Sequence, residues 1–212
     1  MNKHIELLIK RYPQLEPCKD SIWAAYEILE ECFKNGNKLL LAGNGGSCAD
    51  AEHIVGELMK GFKLPRKCSL EFAEKLRELD PVRGEELAQR LQGGLPAIAL
   101  DSHQGLSSAF INDVEIGGLL AYAQQLYGYG KAGDVFWGIS TSGNSKNVMN
   151  ATVVARAMGL KVIGMTGEKG GELAKVADVI IKAPETETYM VQELHLPVYH
   201  CLCLMLEEKF FA

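Results

Sequence analysis

The sequence lacks several features that mark whole classes of protein. Its 212 residues hold no apolar stretch near the ~20 residues that a membrane-spanning helix needs, and residues 1–17 show no apolar core of a secretion signal. Positive charge is not in excess, because 22 lysines and arginines stand against 27 acidic residues, a formal net charge of −5. We therefore expect a cytoplasmic protein that binds neither membranes nor nucleic acid.

Cysteine pairs of the C-x-x-C type are also missing. The six cysteines are scattered along the chain, at Cys18, Cys32, Cys48, Cys68, Cys201 and Cys203. In a chain without a secretion signal, this spacing indicates reduced, mostly buried thiols and argues against zinc held by cysteines.

What the sequence does contain is typical of one globular domain over residues 1–212. Hydrophobic residues make up 47% of the chain and charged residues 23%, enough apolar surface to bury a core. An N-terminal helical extension covers about residues 1–36, in which apolar positions at helical spacing predict a helix over 19–35 that ends at Gly36.

Short apolar runs then recur along the chain, each four to six residues long and bounded by turn residues. They lie at 38–42, 96–100, 135–139, 161–165 and 178–182. Continuous rather than alternating hydrophobicity indicates strands buried on both faces, and the gaps between most of them look helical. The predicted fold class is therefore α/β, with a five-stranded parallel sheet and helices on both sides.

Residues 61–94 interrupt this rhythm as a helical insertion. Two short amphipathic helices are predicted there, at roughly 69–79 and 84–92, within a segment of dense mixed charge. A solvated helical surface is the favoured interpretation, and a flap over a site is the alternative.

A glycine-rich loop follows the first predicted strand, in the stretch LLLAGNGGSCADAEHIVGEL at residues 39–58. It lacks the lysine of a Walker A loop, and Cys48 stands where a Rossmann fingerprint has its third glycine. The loop can still present backbone amides with Asn44 and Ser47 to a polar ligand. By itself, a purely structural turn explains it equally well.

A second loop follows the third strand and is richer in hydroxyl groups. Within ISTSGNSKNVMNA, residues 139–151, four hydroxyl side chains surround a glycine at the start of a helix: Ser140, Thr141, Ser142 and Ser145. Helix N-termini favour anions, and four such residues exceed what capping alone needs. We therefore predict that this loop binds a phosphate group.

Three motifs together, GNGGSCADAEH, STSGNS and QELHLPVYH, resemble the sugar isomerase (SIS) family and, within it, the bacterial phosphoheptose isomerases, which act on sedoheptulose 7-phosphate. The resemblance runs from about residue 20 to the end, outside the insertion. It implies a flavodoxin-like SIS domain: a three-layer αβα sandwich of strand order 2-1-3-4-5, with its ligand at the switch point between strands one and three. The implied activity is conversion of D-sedoheptulose 7-phosphate to D-glycero-D-manno-heptose 7-phosphate through an enediol.

The resemblance also implies roles for individual residues. It assigns one zinc ion to His53, Glu57, Gln192 and His200, and the acid–base roles to Glu57 and His200. With the two loops, it gives a substrate-binding set of Asn44, Gly45, Ser47, Asp101, Ser140, Thr141, Ser142, Ser145 and Gln192.

His53 and Glu57 stand four residues apart on the helix after the first loop and so share one face. This spacing suits a base with its partner or two ligands of one metal, and an ordinary surface contact is the alternative. Asp50 either orients His53 or caps the helix.

Gln192 and His200 are far apart for two ligands of one ion. Eight residues span about 12 Å along a helix, and His195, three residues from Gln192, shares its face more easily. His195 is therefore the alternative to His200. Pro197 lies between them and is tolerated if the helix begins late, so that the proline falls in its first turn.

One departure from the family leaves the sugar open. Phosphoheptose isomerases commonly carry aspartate three residues before the glutamine, where this chain has Tyr189. The alternatives are therefore an isomerase of another sugar phosphate, or a non-catalytic SIS protein that binds a phosphosugar or a protein. The presence of all four implied zinc ligands argues against the non-catalytic alternative. The resemblance further implies a homotetramer with active sites between subunits.

Overall fold

Five parallel strands form a single sheet in a computed structural model that describes residues 2–212. The strand order is β2-β1-β3-β4-β5. The strands are β1 Leu39–Ala42, β2 Ala97–Ala99, β3 Val135–Ile139, β4 Lys161–Thr166 and β5 Val179–Lys182. The α/β class, the sheet order and all five strands are therefore confirmed, with each boundary within one residue of its prediction.

Helices fill the connections between these strands. They are α1 Lys3–Arg11, α2 Lys19–Lys34, α3 Gly46–Met59, α4 Leu70–Leu79, α5 Pro81–Arg90, α6 Gln104–Asp113, α7 Gly117–Tyr129, α8 Lys146–Ala157 and α9 Thr188–Phe211, with short 3-10 helices at Pro13–Cys18 and Leu173–Lys175. Among these described residues, no helix is long and apolar enough to cross a membrane.

Alternate residues of the strands point to opposite faces of the sheet and pack in two separate cores. The sheet and the helices on its two faces are the three layers. Leu39, Leu41 and Trp137 pack with residues of α2, α3 and α9 on one face. Leu40 and Phe136 pack with residues of α7 and α8 on the other face. The helices that carry His53 and His200 therefore lie side by side on one face of the sheet.

The insertion consists of a helical hairpin and the segment that precedes it, residues 61–69, which we call its base. Its helices α4 and α5 pack closely together, since a Cβ added at Gly84 would lie 2.0 Å from the Leu76 carbonyl oxygen. Helix α5 begins three residues before its predicted start, at Pro81, because Asp80 caps it by accepting from the N–H groups of Val82 and Arg83. Arg66 of the base is in contrast only 1% exposed, so this side chain is not part of the solvated surface.

Two further expectations met different outcomes. Helix α9 begins at Thr188, so Pro197 is in its interior and not in its first turn. The condition under which the proline would be easily tolerated, a helix that begins late, is therefore not met. The expectation for the cysteines is confirmed, since all six are free and Cys18, Cys32, Cys201 and Cys203 are buried.

Candidate functional site

The two predicted ligand loops lie side by side at the carboxyl ends of β1 and β3, which are neighbours in the sheet. Asn44 of the first loop and Asn147 of the second exchange two side-chain hydrogen bonds, at 2.9 and 2.8 Å. The hydroxyl of Tyr122 donates to the carbonyl oxygen of Gly43 at 2.5 Å. These bonds hold both loops at the switch point, where an open α/β sheet binds its ligand.

The first loop requires glycine at two adjacent positions. Gly45 has φ +57°, a left-handed conformation that favours glycine. A Cβ at Gly46 would lie 2.7 Å from the side-chain amide nitrogen of Gln192. Gln192 of α9 therefore rests directly on this loop, whereas Ser47 is buried beneath it with 3% of its surface exposed.

Some hydroxyl groups of the second loop form hydrogen bonds within the loop itself. The Ser140 and Ser145 hydroxyl oxygens lie 2.9 Å apart, and the Ser142 hydroxyl accepts from the N–H of Asn144 at 3.2 Å. Gly143, at φ +68°, packs against the backbone of Gly170. The loop therefore forms a fixed turn at the N-terminus of α8, with Ser142 exposed and Thr141 half-buried.

Asp101 follows β2 and reaches the first loop. Its Oδ2 accepts a hydrogen bond from the Cys48 thiol, while its Oδ1 is buried without a hydrogen-bond partner. Burial, together with Asp101, raises the pKa of Cys48 to about 12. The thiol is thus a protonated donor and not a nucleophile.

The acid–base candidates meet where α3 packs on α9. His53 Nε2 lies 3.2 Å from Glu57 Oε1, and the rings of His53 and His200 are 5.0 Å apart, nearly perpendicular. Glu57 Oε2 and His200 Nε2 are both buried without a hydrogen-bond partner. Burial lowers the pKa of His200, the neighbouring His53 lowers it further, and Glu57 opposes the shift. The surroundings of His200 therefore favour its neutral ring, which keeps a buried nitrogen without a hydrogen-bond partner near Glu57.

His195 lies in the core of the protein, away from His53 and Glu57. Its Nε2 is 3.1 Å from the Thr166 carbonyl oxygen at the end of β4, and the residue is 0% exposed. The structure thus brings His200 towards His53 and Glu57 and leaves His195 in the core.

The residues that the resemblance assigns to zinc match the ion in donor type but not in arrangement. Gln192 contacts the first turn of α3, whereas His200 lies beside His53, two turns further along. Within residues 2–212, no three His, Cys, Asp or Glu side chains converge as metal ligands. Zinc binding therefore stays a prediction.

Sequence reasoning missed two side chains around this site, Phe62 and Tyr199. Phe62, from the insertion, lies 5.4 Å from the His200 ring, so the base of the insertion borders the site. Tyr199 bonds both His53 and Asp50, so it links His53 to the residue that the sequence offered as its orienting partner. The adjacency of Tyr199 to His200 was the one available signal, whereas nothing local to Phe62 indicated its position.

Comparison with known proteins gives a consistent picture. A family model described as SIS domain matches residues 82–167. The phosphoheptose isomerase of Crocosphaera subtropica is 39% identical over 185 residues, which cover 87% of this chain and 80% of that protein. That of Citrifermentans bemidjiense is 33% identical over all 212 residues and 94% of its own length.

Two solved structures have the same fold over nearly the whole chain. Phosphoheptose isomerase GmhA from Neisseria gonorrhoeae superposes with a TM-score of 0.72 at 30% identity, covering 96% of this chain and 95% of its own. A phosphoheptose isomerase from Francisella tularensis gives 0.72 at 28% identity, covering 92% and 87%. The chain therefore belongs to the phosphoheptose isomerase family of SIS-domain proteins.

Proposed function

We propose that this protein is an aldose–ketose isomerase that converts D-sedoheptulose 7-phosphate to D-glycero-D-manno-heptose 7-phosphate. The observation that carries the proposal is the pair Glu57 and His200. Each has one buried polar atom without a hydrogen-bond partner, on helices that pack beside the two Gly/Ser loops. Buried polar atoms without a hydrogen-bond partner are costly in a folded protein, and a polar substrate would supply their hydrogen bonds.

The reaction needs a base and an acid, and it involves no net oxidation. A base removes a proton from C1 of the ketose and the C1–H electron pair forms the enediolate. A proton is then added at C2, while the C1 hydroxyl loses a proton and the oxygen on C2 gains one. We assign the carbon-bound proton to Glu57 and the transfer between the oxygens to His200, whose neutral ring can both accept and donate.

The phosphate group is assigned to the loop at residues 140–145. The N–H groups at the N-terminus of α8 and the hydroxyls of Thr141 and Ser142 suit a monophosphate. With phosphate held there, the other end of the sugar extends past Asn44 and Asp101 towards α3. Gln192, which rests on the first loop, lies within this path.

The assay that tests this function measures turnover of sedoheptulose 7-phosphate by wild type and Glu57→Gln. We expect turnover to fall by about 10²-fold or more, because the amide cannot take up a proton, while calorimetric binding of the ketose persists. Glu52→Gln, an exposed change on the same helix, should leave turnover unchanged. Unchanged turnover in Glu57→Gln would remove Glu57 from the mechanism.

Zinc binding, which the resemblance implies, stays a separate prediction for the same assay. Protein stripped with a chelator should lose turnover and regain it with added zinc. Full turnover after stripping, with no metal found by elemental analysis, would leave the isomerase and exclude the ion.

One residue, Tyr189, favours a second candidate function, the isomerisation of another ketose phosphate. Tyr189 lies on the first turn of α9 and is 58% exposed, where related isomerases commonly carry aspartate. A phenol can donate to a sugar hydroxyl but brings no negative charge, so a different hydroxyl pattern would suit it. Turnover of another ketose phosphate in preference to sedoheptulose 7-phosphate would support this candidate.

We also propose a homotetramer with active sites between subunits. Its support is a groove of about 140 Å³ between α1 and α9 that reaches His200. Leu7 and Leu196 line this groove and are 51% and 40% exposed. Burying such residues against another subunit removes apolar surface from water.

A further inference from the structure

Asn147 lies on the first turn of α8 and holds Asn44 of the first loop. Their carboxamide groups exchange two hydrogen bonds. Nδ2 of Asn44 donates to Oδ1 of Asn147 at 2.9 Å, and Nδ2 of Asn147 donates to Oδ1 of Asn44 at 2.8 Å. Asn44 is exposed and Asn147 is half-buried. The resemblance places Asn44 among the substrate-binding residues, whereas the proposed function gives Asn147 no role.

One backbone group decides which way round both carboxamides lie. The N–H of Val148 donates to Oδ1 of Asn147 at 3.0 Å. It is one of the first N–H groups of α8, which have no carbonyl partner within the helix. A rotated Asn147 would set its NH2 group against this N–H, two donors without an acceptor. Oδ1 of Asn147 therefore stays at Val148, and the reciprocal pair in turn fixes the carboxamide of Asn44.

Counting hydrogens shows what Asn44 has left for a ligand. Its Oδ1 accepts from Asn147 and lies 3.5 Å from the Tyr122 hydroxyl. That hydroxyl has one hydrogen and donates it to the Gly43 carbonyl oxygen at 2.5 Å. One hydrogen of Asn44 Nδ2 is used by Asn147, and the other is bonded to none of residues 2–212. The exposed group of Asn44 is therefore a hydrogen-bond donor.

We propose that Asn147 is a positioning residue that fixes Asn44 as a hydrogen-bond donor to an oxygen of the bound phosphosugar. This inference rests on the proposed function, in which the sugar extends from the phosphate loop past Asn44. Because Asn147 holds the carboxamide before the ligand arrives, binding does not have to order that side chain. Without Asn147, the Asn44 side chain would rotate and offer its oxygen as well as its N–H groups.

The first test is a double-mutant cycle on turnover of sedoheptulose 7-phosphate by wild type, Asn147→Ala, Asn44→Ala and the double variant. Asn147→Ala should raise KM about three- to tenfold, as expected for the loss of one neutral hydrogen bond, and should change kcat by less than about twofold. In the Asn44→Ala background the same substitution should change KM by less than about twofold, because Asn147 acts through Asn44.

Asn150→Ala is the matched control. Asn150 lies about one turn further along α8 and donates to the Leu119 carbonyl oxygen at 3.0 Å, so its removal reports the purely structural effect of losing an asparagine from this helix. It should leave KM unchanged. If Asn147→Ala raises KM by the same factor with and without Asn44, or behaves like Asn150→Ala, the inference is overturned.

A second measurement does not need turnover. In ¹H–¹⁵N NMR, the side-chain NH2 signals of Asn44 can be assigned by their loss in Asn44→Ala. In wild type, one of these two hydrogens should exchange slowly with water and the other fast, whereas in Asn147→Ala both should exchange fast. Asn150→Ala should keep the wild-type pattern. Two fast hydrogens in wild type overturn the inference, and this result does not require that Asn147→Ala folds.

The outcomes separate this inference from the proposed function. The expected exchange pattern in a protein that turns over no sedoheptulose 7-phosphate supports the positioning of Asn44 by Asn147 and overturns the substrate assignment alone. Turnover of sedoheptulose 7-phosphate by a wild type with two fast hydrogens supports the proposed function and overturns the role of Asn147.

Discussion

His195 and His200 are five residues apart on one helix, yet they have opposite environments. His195 is enclosed at the end of β4, where its ring Nε2 bonds the Thr166 carbonyl oxygen and its Nδ1 has no hydrogen-bond partner among the described residues. His200 borders the site between α3 and α9. The spacing to Gln192 favoured His195, because sequence spacing gives the relative angle of two residues on a helix and not the face that packs on the sheet.

This burial makes His195 a source of acid sensitivity. Burial lowers the pKa of His195 to about 4, against 6.5 for the ordinary group. As the pH falls below 6.5, the unfolded chain binds this proton before the folded one, so the folded state loses stability between these two values. The loss amounts to about 2 kcal/mol by about pH 5.

His195→Gln should reduce this pH dependence, because the amide does not titrate but can still donate to Thr166. The measurement is the free energy of unfolding in urea at about pH 7.5 and 5. His103→Gln, an exposed change, is the control. A wild-type slope that persists in His195→Gln would show that other groups cause the acid sensitivity.

At the level of elements, α3 ends on the base of the insertion. The Arg66 guanidinium donates from Nη1 to the Leu58 carbonyl oxygen at 2.6 Å and from Nη2 to that of Glu57 at 2.9 Å. Its Nε lies 2.9 Å from Glu207 of α9. Arg66 therefore satisfies carbonyl groups at the end of the helix that carries Glu57 and ties that helix to α9.

Glu207 completes this junction. Burial alone would raise its pKa, but hydrogen bonds from the N–H groups of Phe62 and Lys63, and from Arg66, outweigh it and hold the pKa below 4.5. The stability that this carboxylate contributes is complete above that value and is lost as the pH falls through the lower, folded-state pKa.

Arg66→Met should lower the free energy of unfolding by about 3–5 kcal/mol, because it leaves Glu207 buried without its cationic partner. Urea denaturation measures this loss. Arg77→Met is the control: it breaks an exposed pair with Glu85 that contributes about 1 kcal/mol or less. A loss in Arg66→Met as small as in the control would mean that Glu207 is adequately held by its backbone donors.

The elements themselves could be predicted because their signals are local. Buried strands are continuous apolar runs, and α2 ends just before Gly36, as the spacing of its apolar residues predicts. Pro197 and Arg66 could not be placed in this way. A proline inside α9 and an arginine buried under an otherwise solvated insertion both depend on packing between segments distant in sequence.

At the scale of the whole molecule, the sheet order followed from the family resemblance, and the two loops fell at its switch point. Within one chain, Gln192 and His200 flank different turns of α3. No sequence pattern gives the distance between side chains on packed helices. The groove at His200 lies at the surface of α1 and α9, where another subunit can reach it.

We therefore expect light scattering at micromolar concentration to give a mass four times the 23.2 kDa of the chain. Leu196→Arg places a charge in the groove at His200, so it should yield smaller species and lower turnover together. Leu70→Arg, at a position 83% exposed on the insertion, should change neither. A monomeric wild type contradicts the assembly, and a tetrameric, fully active Leu196→Arg places the interface elsewhere on the molecule.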